Sequence, residues 1–343
     1  MVTIGIVDSR SVRNRRLSSS IYMTALGWTQ ARRSQVSIAV WAGVLLVAVI
    51  LPYLSLPKFW LGALVLTICY IPAAVGQNLI TGNSGQLAMG QAAFVGIGAF
   101  TAGYLATTTS FDGVVILILT CVSAGLAGAI VGFPALRIVG DYLFVVTLGV
   151  NLIVIDVALA WESVTGGASG ISGVPALQLF GHSVGFGNGF YYASLGLIVL
   201  ACLATWCLTS SGFGRTVEAL RDDEVAAVSI GVRPAFPRTV IFAIGSALAG
   251  LSGALLAYNL SYVGYATFDV TASILIFEMA VIGGLGRIPG SVLGAALVIL
   301  VPEILRPLQP YRELIGGALM IALMIYRPQG LLGYAKITNL IKK

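Results

Sequence analysis

Charged side chains are scarce in this chain. Of 343 residues, 19 are Lys or Arg and 13 are Asp or Glu, together 9%. A soluble domain of this length needs a far larger charged share to stay dissolved. Histidine occurs once, at His182, in a Gly-rich stretch with no acidic or Cys neighbour. The four cysteines, Cys69, Cys121, Cys202 and Cys207, lie in apolar runs without metal-ligand spacing. They read as packed thiols, so a metal site is not expected. No G-x-x-x-x-G-K-[ST] occurs, so the chain carries no P-loop of its own. HExxH, CxxC and any nucleophile–base set are absent too, which leaves a membrane-embedded enzyme without catalytic residues. The net charge of +6 does not point to nucleic acid, because the basic residues sit in tails and short loops.

Apolar residues fill this space: they make up 58% of the chain, and the mean hydropathy is +0.97. Apolar runs of about 20 residues recur, the length of helix that spans a bilayer core. Hydrocarbon forbids unpaired backbone, so spanning segments are helices or a closed barrel. These runs are too continuous for barrel strands. The fold class is therefore all-α, a polytopic integral membrane helix bundle. About ten spans are expected, at roughly 36–56, 60–80, 87–108, 113–136, 142–161, 190–208, 238–259, 269–285, 289–306 and 311–326. The 42 glycines suit close helix packing.

The basic residues orient the bundle. An Arg-rich polar tail over 1–34 reads as cytoplasmic. Arg137, the 209–238 loop, Arg287, Arg327 and the 336–343 tail then fall on the same side, and both termini are cytoplasmic. The long loop 162–189 has no Lys or Arg and reads as external. Lys58, Arg306 and Arg312 are exceptions to this rule. The domain organisation is thus the 1–34 tail, a transmembrane body over 35–335 and the 336–343 tail. Ten spans divide into two five-helix halves of opposite orientation, an arrangement common in transporters. Gly82, Gly85 and Gly90 loosely echo Gly283, Gly286 and Gly290, but these stretches share one orientation and do not support inversion.

Four groups of polar residues stand out. Asn78, Asn83, Gln86 and Gln91 lie among glycines at membrane depth. They either wall a pathway through a broken or re-entrant backbone, or glue helices together. Asp141 suits the start of a helix as an N-cap, and the Thr165-Gly166-Gly167 run reads as an external loop or a flexible turn. Asp156 and Glu278 sit inside apolar runs, where carboxylates are candidates for function; Glu278 is nearer mid-span. The densest charge cluster falls between Ser210 and Arg238. There Val217, Leu220, Val225, Val228 and Ile230 suit one short amphipathic helix from Thr216 to Ile230, ended by Gly231 and Pro234. Beside the charges lie the small residues Ala226 and Ala227, the pattern of a docking element for a soluble partner.

Six segments together resemble the membrane permease subunits of ABC importers for branched-chain amino acids, the LIV type. They are TGNSGQLAMGQAAFVGIGAF (81–100), GDYLFVVTLG (140–149), TGGASGISGVP (165–175), GRTVEALRDDEVAAVSIGV (214–232), GGLGRIPGSVLGAAL (283–297) and RPQGLLG (327–333), in family order. The longer of the two permease types is the closer likeness. The resemblance implies a sister permease subunit, two cytoplasmic ABC ATPase subunits and a periplasmic or lipoprotein binding protein. It also implies the bacterial inner membrane, with no cofactor on this chain and ATP with Mg on the ATPases. Within the loop, Glu218, Arg221, Asp222, Glu224, Ala226, Ala227 and Gly231 match the family's ATPase-coupling segment. Asn78, Asn83, Gln86, Gln91, Asn151 and Glu278 are the candidates for the substrate pathway.

One departure concerns the substrate. Family members often carry an acidic and a basic residue after TLG, whereas Val150–Asp156 here has no basic residue. Relatives also move urea, short amides and other amino acids, so the transported molecule is inherited with that reservation. The competing reading is a self-contained secondary transporter or channel, with Glu278 or Asp156 in ion coupling.

Overall fold

The computed structural model describes residues 58–135, 142–185 and 187–304, with isolated positions at 48–50, 52, 311, 314, 317, 321, 325, 330 and 331. The 1–34 and 336–343 tails, Arg137, Asp141 and most of the first and last apolar runs lie outside the described residues. The chain divides into two compact units, Met1–Leu56 and Pro57–Lys343. In the first, Ala48, Val49 and Ile50 are helical; everything below concerns the second.

Its helices are α1 (Lys58–Asn78), α2 (Gln91–Thr108), α3 (Gly113–Ala135), α4 (Tyr142–Ala160), α5 (Glu162–Thr165), α6 (Asn188–Ser210), α7 (Gly212–Asp222), α8 (Glu224–Ser229), α9 (Ala235–Leu260), α10 (Val270–Gly283) and α11 (Ile288–Ile304). Among the described residues, six helices are long and apolar enough to cross a membrane: Phe59–Asn83, Gly113–Phe133, Tyr142–Ala160, Asn188–Ser210, Ala235–Leu260 and Tyr265–Gly283. Ile288–Ile304 is a shorter apolar helix. Within the last run, Leu314, Gly317, Ile321 and Ile325 are helical.

Helix α9 is the central post. It packs along α1, α2 and α3, while α10 pairs with α11 and α11 returns to α1. Glycine makes this possible. A Cβ on Gly253 of α9 would lie 1.9 Å from the Val95 carbonyl of α2, so only a residue without a side chain lets these backbones meet. Phe94 and Phe242 fill the remaining space edge to face, with centroids 5.6 Å apart. Polar ties reinforce the contacts. Ser252 Oγ donates to the Cys69 carbonyl at 2.6 Å, and Thr101 and Ser123 hydroxyls meet at 3.2 Å.

The 162–189 stretch is ordered by local bonds, not left as a free turn. Thr165 Oγ1 donates to the Ala158 and Trp161 carbonyls, and Gly166 turns the chain in the left-handed region at φ +75°. Strand β1 (Ile171–Ser172) then pairs antiparallel with β4 (Tyr262–Val263), so this loop is stitched to the end of α9. Strands β2 (Gln178–Leu179) and β3 (His182–Ser183) form a hairpin that carries the single histidine, exposed. Asp112 holds its tip: Oδ1 accepts from Val114 N at 3.0 Å and Oδ2 from Gly181 N at 2.9 Å. These amides, Val114 foremost, keep the Asp112 carboxyl below the usual carboxylate range.

Two outcomes follow from this architecture. Gly253→Val should destabilise the detergent-solubilised protein by about 1–3 kcal/mol through overpacking. Gly62→Ala, at a position with open space around it, should not; thermal unfolding of both variants checks this. The Asp112 carboxyl, lowered in the folded state, contributes above the ordinary aspartate pKa and loses its contribution as pH falls through the lowered value. Protection of the Gly181 amide, measured by hydrogen exchange against Asp112→Ala, should therefore persist below about pH 4 and vanish only under stronger acid.

Candidate functional site: a junction of two helix breaks and a loop helix

Helix α1 does not end cleanly. It runs into one π turn at Leu79–Asn83, and the chain then leaves helical geometry until Gln91. The expected 87–108 helix therefore begins four residues late. The reason is local: Gly85 takes φ +71° and Gly90 packs so closely that a Cβ would sit 2.2 Å from the Thr147 carbonyl. Such π turns interrupt helices often at functional positions. A second break lies between α10 and α11, where Gly284 and Gly286 take φ +115° and +82°.

Asn78 joins the two breaks. Its Nδ2 donates to the Arg287 carbonyl at 2.8 Å and to Ser291 Oγ at 2.7 Å, and its Oδ1 accepts from Gly286 N at 2.7 Å. One buried amide thus uses both ends on the second break, at the Gly286 amide, the Arg287 carbonyl and the Ser291 hydroxyl. The fit leaves no room: a Cβ on Gly82 would lie 2.2 Å from Gly286 N. The echo between the two glycine-rich stretches, faint in sequence, is a physical contact. Residues 330–331 join it, with Leu331 N donating to the Ile282 carbonyl at 3.1 Å.

The other buried amides divide into two groups. Gln91 is tied across helices, Nε2 to the Gly245 carbonyl at 2.9 Å. Gln77, which sequence reasoning passed over, is tied to Thr81 Oγ1 and the Ala88 carbonyl but leaves Oε1 without a partner. Gln86 has neither side-chain atom bonded, and Asn151, 0% exposed at the middle of α4, has neither as well. Thr147, one turn before Asn151 on the same helix, accepts from Met89 N at 2.9 Å, which places this face of α4 against the start of α2. Asn83 is buried within the π turn. Glu278 is half-buried on α10 and Asp156 is exposed on α4; among the described residues neither shows a hydrogen bond or ion pair. Cys69 is buried as expected, whereas Cys207 is exposed.

The charged loop departs from the single helix expected over Thr216–Ile230. It forms two, because Asp223 adopts an extended conformation (φ −156°, ψ 103°) and its Oδ1 caps α8 by accepting from Ala226 N at 3.0 Å. Ser211 caps α7 in the same manner through Gly214 N. The break splits the expected apolar face. Val217 and Leu220 of α7 are buried against the bundle, as is Ala227 of α8. Val225 and Ile230 instead stand 81% and 79% exposed, with Val228 and the unforeseen Phe236 also outward. Gly231 turns the chain at φ +93°, and Arg238 at the base of α9 clasps Glu224 with two bonds of 3.0 and 2.8 Å. Glu218 is half-buried on α7, Ala226 is exposed, and Asp222 at the end of α7 pairs with Arg221 at 3.1 Å.

Asn78→Ala should cost about 1–3 kcal/mol for each buried group it strands, well above the cost of trimming an exposed residue such as Leu87. Thermal unfolding of the purified variant measures it.

Comparison with known proteins identifies the family. Residues 59–325 match the family model described as branched-chain amino acid transport system / permease component. The high-affinity branched-chain amino acid transport system permease protein LivM of Escherichia coli (strain K12) is 35% identical over 290 residues, 78% of this chain and 68% of that protein. LivM of Salmonella typhimurium is 34% identical over the same shares. The probable LivM of Methanocaldococcus jannaschii is 27% identical over 239 residues, 64% of this chain and 69% of the relative. No solved structure matches the chain. With its glycine-rich breaks, its looped helix pair and a match over most of its length, the chain is an integral membrane protein of the branched-chain amino acid transport system permease family.

Proposed function

We propose that this chain is the permease subunit of an ATP-driven ABC importer that carries branched-chain amino acids across a bacterial inner membrane. The observation that carries the ATP-driven part is the outward apolar patch Val225–Val228–Ile230–Phe236 on a charged loop. An exposed apolar cluster rimmed by charge is the surface of a protein partner. The partners in this reading are two ABC ATPases holding ATP and Mg on the loop side, a sister permease, and a binding protein on the face of the 162–189 loop. Both termini are then cytoplasmic.

Ten spans complete the body in this proposal: eight described apolar helices, α1 to α4, α6 and α9 to α11, with the 36–56 and 311–326 runs. Two inverted five-helix halves are favoured by one contact. The third and eighth runs, partners in such a scheme, begin at α2 and α10, and their first turns meet where Ala92 N donates to Ser273 Oγ at 3.1 Å. Of the pathway candidates, Gln86 and Asn151 are the best placed. Their buried, unpaired amides are costly in this state and would be relieved by substrate or by the opposite-facing conformation. Asn78, Asn83, Gln91 and Glu278 flank that route.

In operation, nucleotide binding draws the two partner ATPases together and moves the loop helices that sit on them. The bundle passes from outward to inward access, and the difference in substrate affinity between the two states releases cargo inside. Glu224, Arg221 and Asp222 brace the loop, and Gly231 lets it turn back to the membrane.

The test is affinity purification of the tagged chain in mild detergent, with identification of co-purifying chains and an ATPase assay. A second permease and ATPase subunits should co-purify, with hydrolysis stimulated by binding protein and leucine or valine. Stimulation by another solute alone would replace the substrate. A chain that elutes alone and takes up solute under an ion gradient would replace the importer with a secondary transporter using Glu278 or Asp156. Val225→Asp with Ile230→Asp should release the ATPases while the permease pair remains intact.

A further inference from the structure

Arg221 stands among the charges of the loop, yet one nitrogen of its head leaves the loop. Nη1 donates to the Gly82 carbonyl at 2.8 Å, inside the π turn that ends α1. Its aliphatic stem covers Gly85, where a Cβ would lie 2.7 Å from Arg221 Cγ. Its head also reaches the second break, since a Cβ on Gly286 would lie 3.6 Å from Nη1. One guanidinium from the last turn of α7 therefore bonds the first glycine break and lies beside the second, at the point where Asn78 binds them together.

We propose that Arg221 is the positioning residue that ties the loop helices to the two helix breaks, so that displacement of the loop moves the Gly82–Gly286 junction. This rests on the importer reading above. The chemistry suits the task. A π turn leaves carbonyls without helical donors, and Gly82 has no side chain to offer in their place. A guanidinium satisfies such a carbonyl across a distance that no shorter side chain spans. Asp222 Oδ1 accepts from Arg221 Nε at 3.3 Å and from Nη2 at 3.1 Å, which fixes the plane of the fork and offsets its charge. The remaining nitrogen is left for Gly82.

The geometry also separates two tasks within one loop. Helix α8 presents Val225 and Ile230 outward, whereas α7 buries Val217 and Leu220 and sends Arg221 into the junction. Helix α8 is the docking face; α7 delivers its movement. The delivery point is well chosen. Gly82 packs tightly against Gly286, and Gly330 against Gly284 with a Cβ position 2.4 Å away, so a shift at Gly82 is passed to the second break. Packed interfaces of this kind move between discrete arrangements and do not deform continuously.

The experiment uses the assembled complex in proteoliposomes with its binding protein, and reads amino acid moved per ATP hydrolysed. Arg221→Ala should keep its ATPase subunits at wild-type stoichiometry and still hydrolyse ATP, while transport per ATP falls by about fivefold or more. Arg221→Lys, which keeps the charge on a single donor, should fall between. A wild-type transport-to-hydrolysis ratio in assembled Arg221→Ala or Arg221→Lys overturns the proposal, even if the melting temperature drops. Loss of the ATPases from Arg221→Ala overturns it too, by placing the residue in the docking face. Should the Ala variant fail to fold, so that no permease chain is recovered, the Lys variant decides by the same ratio. The Val225→Asp, Ile230→Asp pair is run alongside. If that complex keeps its ATPases, the docking reading of α8 fails on its own, and the Arg221 ratio still stands as measured.

Discussion

Hydrocarbon offers no hydrogen bonds, and every departure from helix inside it must be satisfied by the protein itself. Among the described residues, this chain leaves helix between apolar segments at 84–90 and at 284–287, and it brings these two departures to one place. The Asn78 side chain, from the end of α1, answers the second, taking the Gly286 amide on one end and the Arg287 carbonyl and Ser291 hydroxyl on the other. The close approach of Gly82 to Gly286, the return of residues 330–331 and the seat of Arg221 all require that joint to be closed. The small residues around it are there because backbone, not side chain, is what meets.

The same economy shapes the rest of the bundle. Helix α9 approaches α2 through Gly253 and α3 through Gly250, and polar side chains add single bonds where helices cross. The amides at membrane depth thereby fall into two kinds. Asn78 and Gln91 are structural ties. Gln86 and Asn151 carry an unmet hydrogen-bonding capacity that the resting packing does not serve. A buried unpaired amide is retained against a real cost, and a transporter that visits two conformations supplies an occasion for pairing it.

The loop shows how capping redirects an amphipathic pattern. Val217, Leu220, Val225, Val228 and Ile230 read as one apolar face because their spacing fits one helix. Asp223 interrupts that helix by capping the next one, and the two pieces rotate apart. Half of the apolar face is buried and half is presented to solvent. The second half is of more use to a partner than a continuous buried face would be, and Arg238 holds it in place through Glu224.

The fold class and the long apolar helices are legible in the chain alone. Apolar run length marked α1 to α4, α6 and α9 to α11 within a few residues, and the scarcity of charge made the 209–238 loop conspicuous, though not its division into α7 and α8. The reason is that span length and lipid solubility are local properties, readable one segment at a time. What the polar residues do follows from how the helices pack. Asn78 and Gln86 look alike in the sequence, eight residues apart, yet one is fully bonded and the other is not. Arg221 looks like its charged neighbours, yet it reaches a carbonyl 139 residues away. Partners so distant in the chain leave no periodic signal, because they are set by how helices pack and not by how any one of them forms.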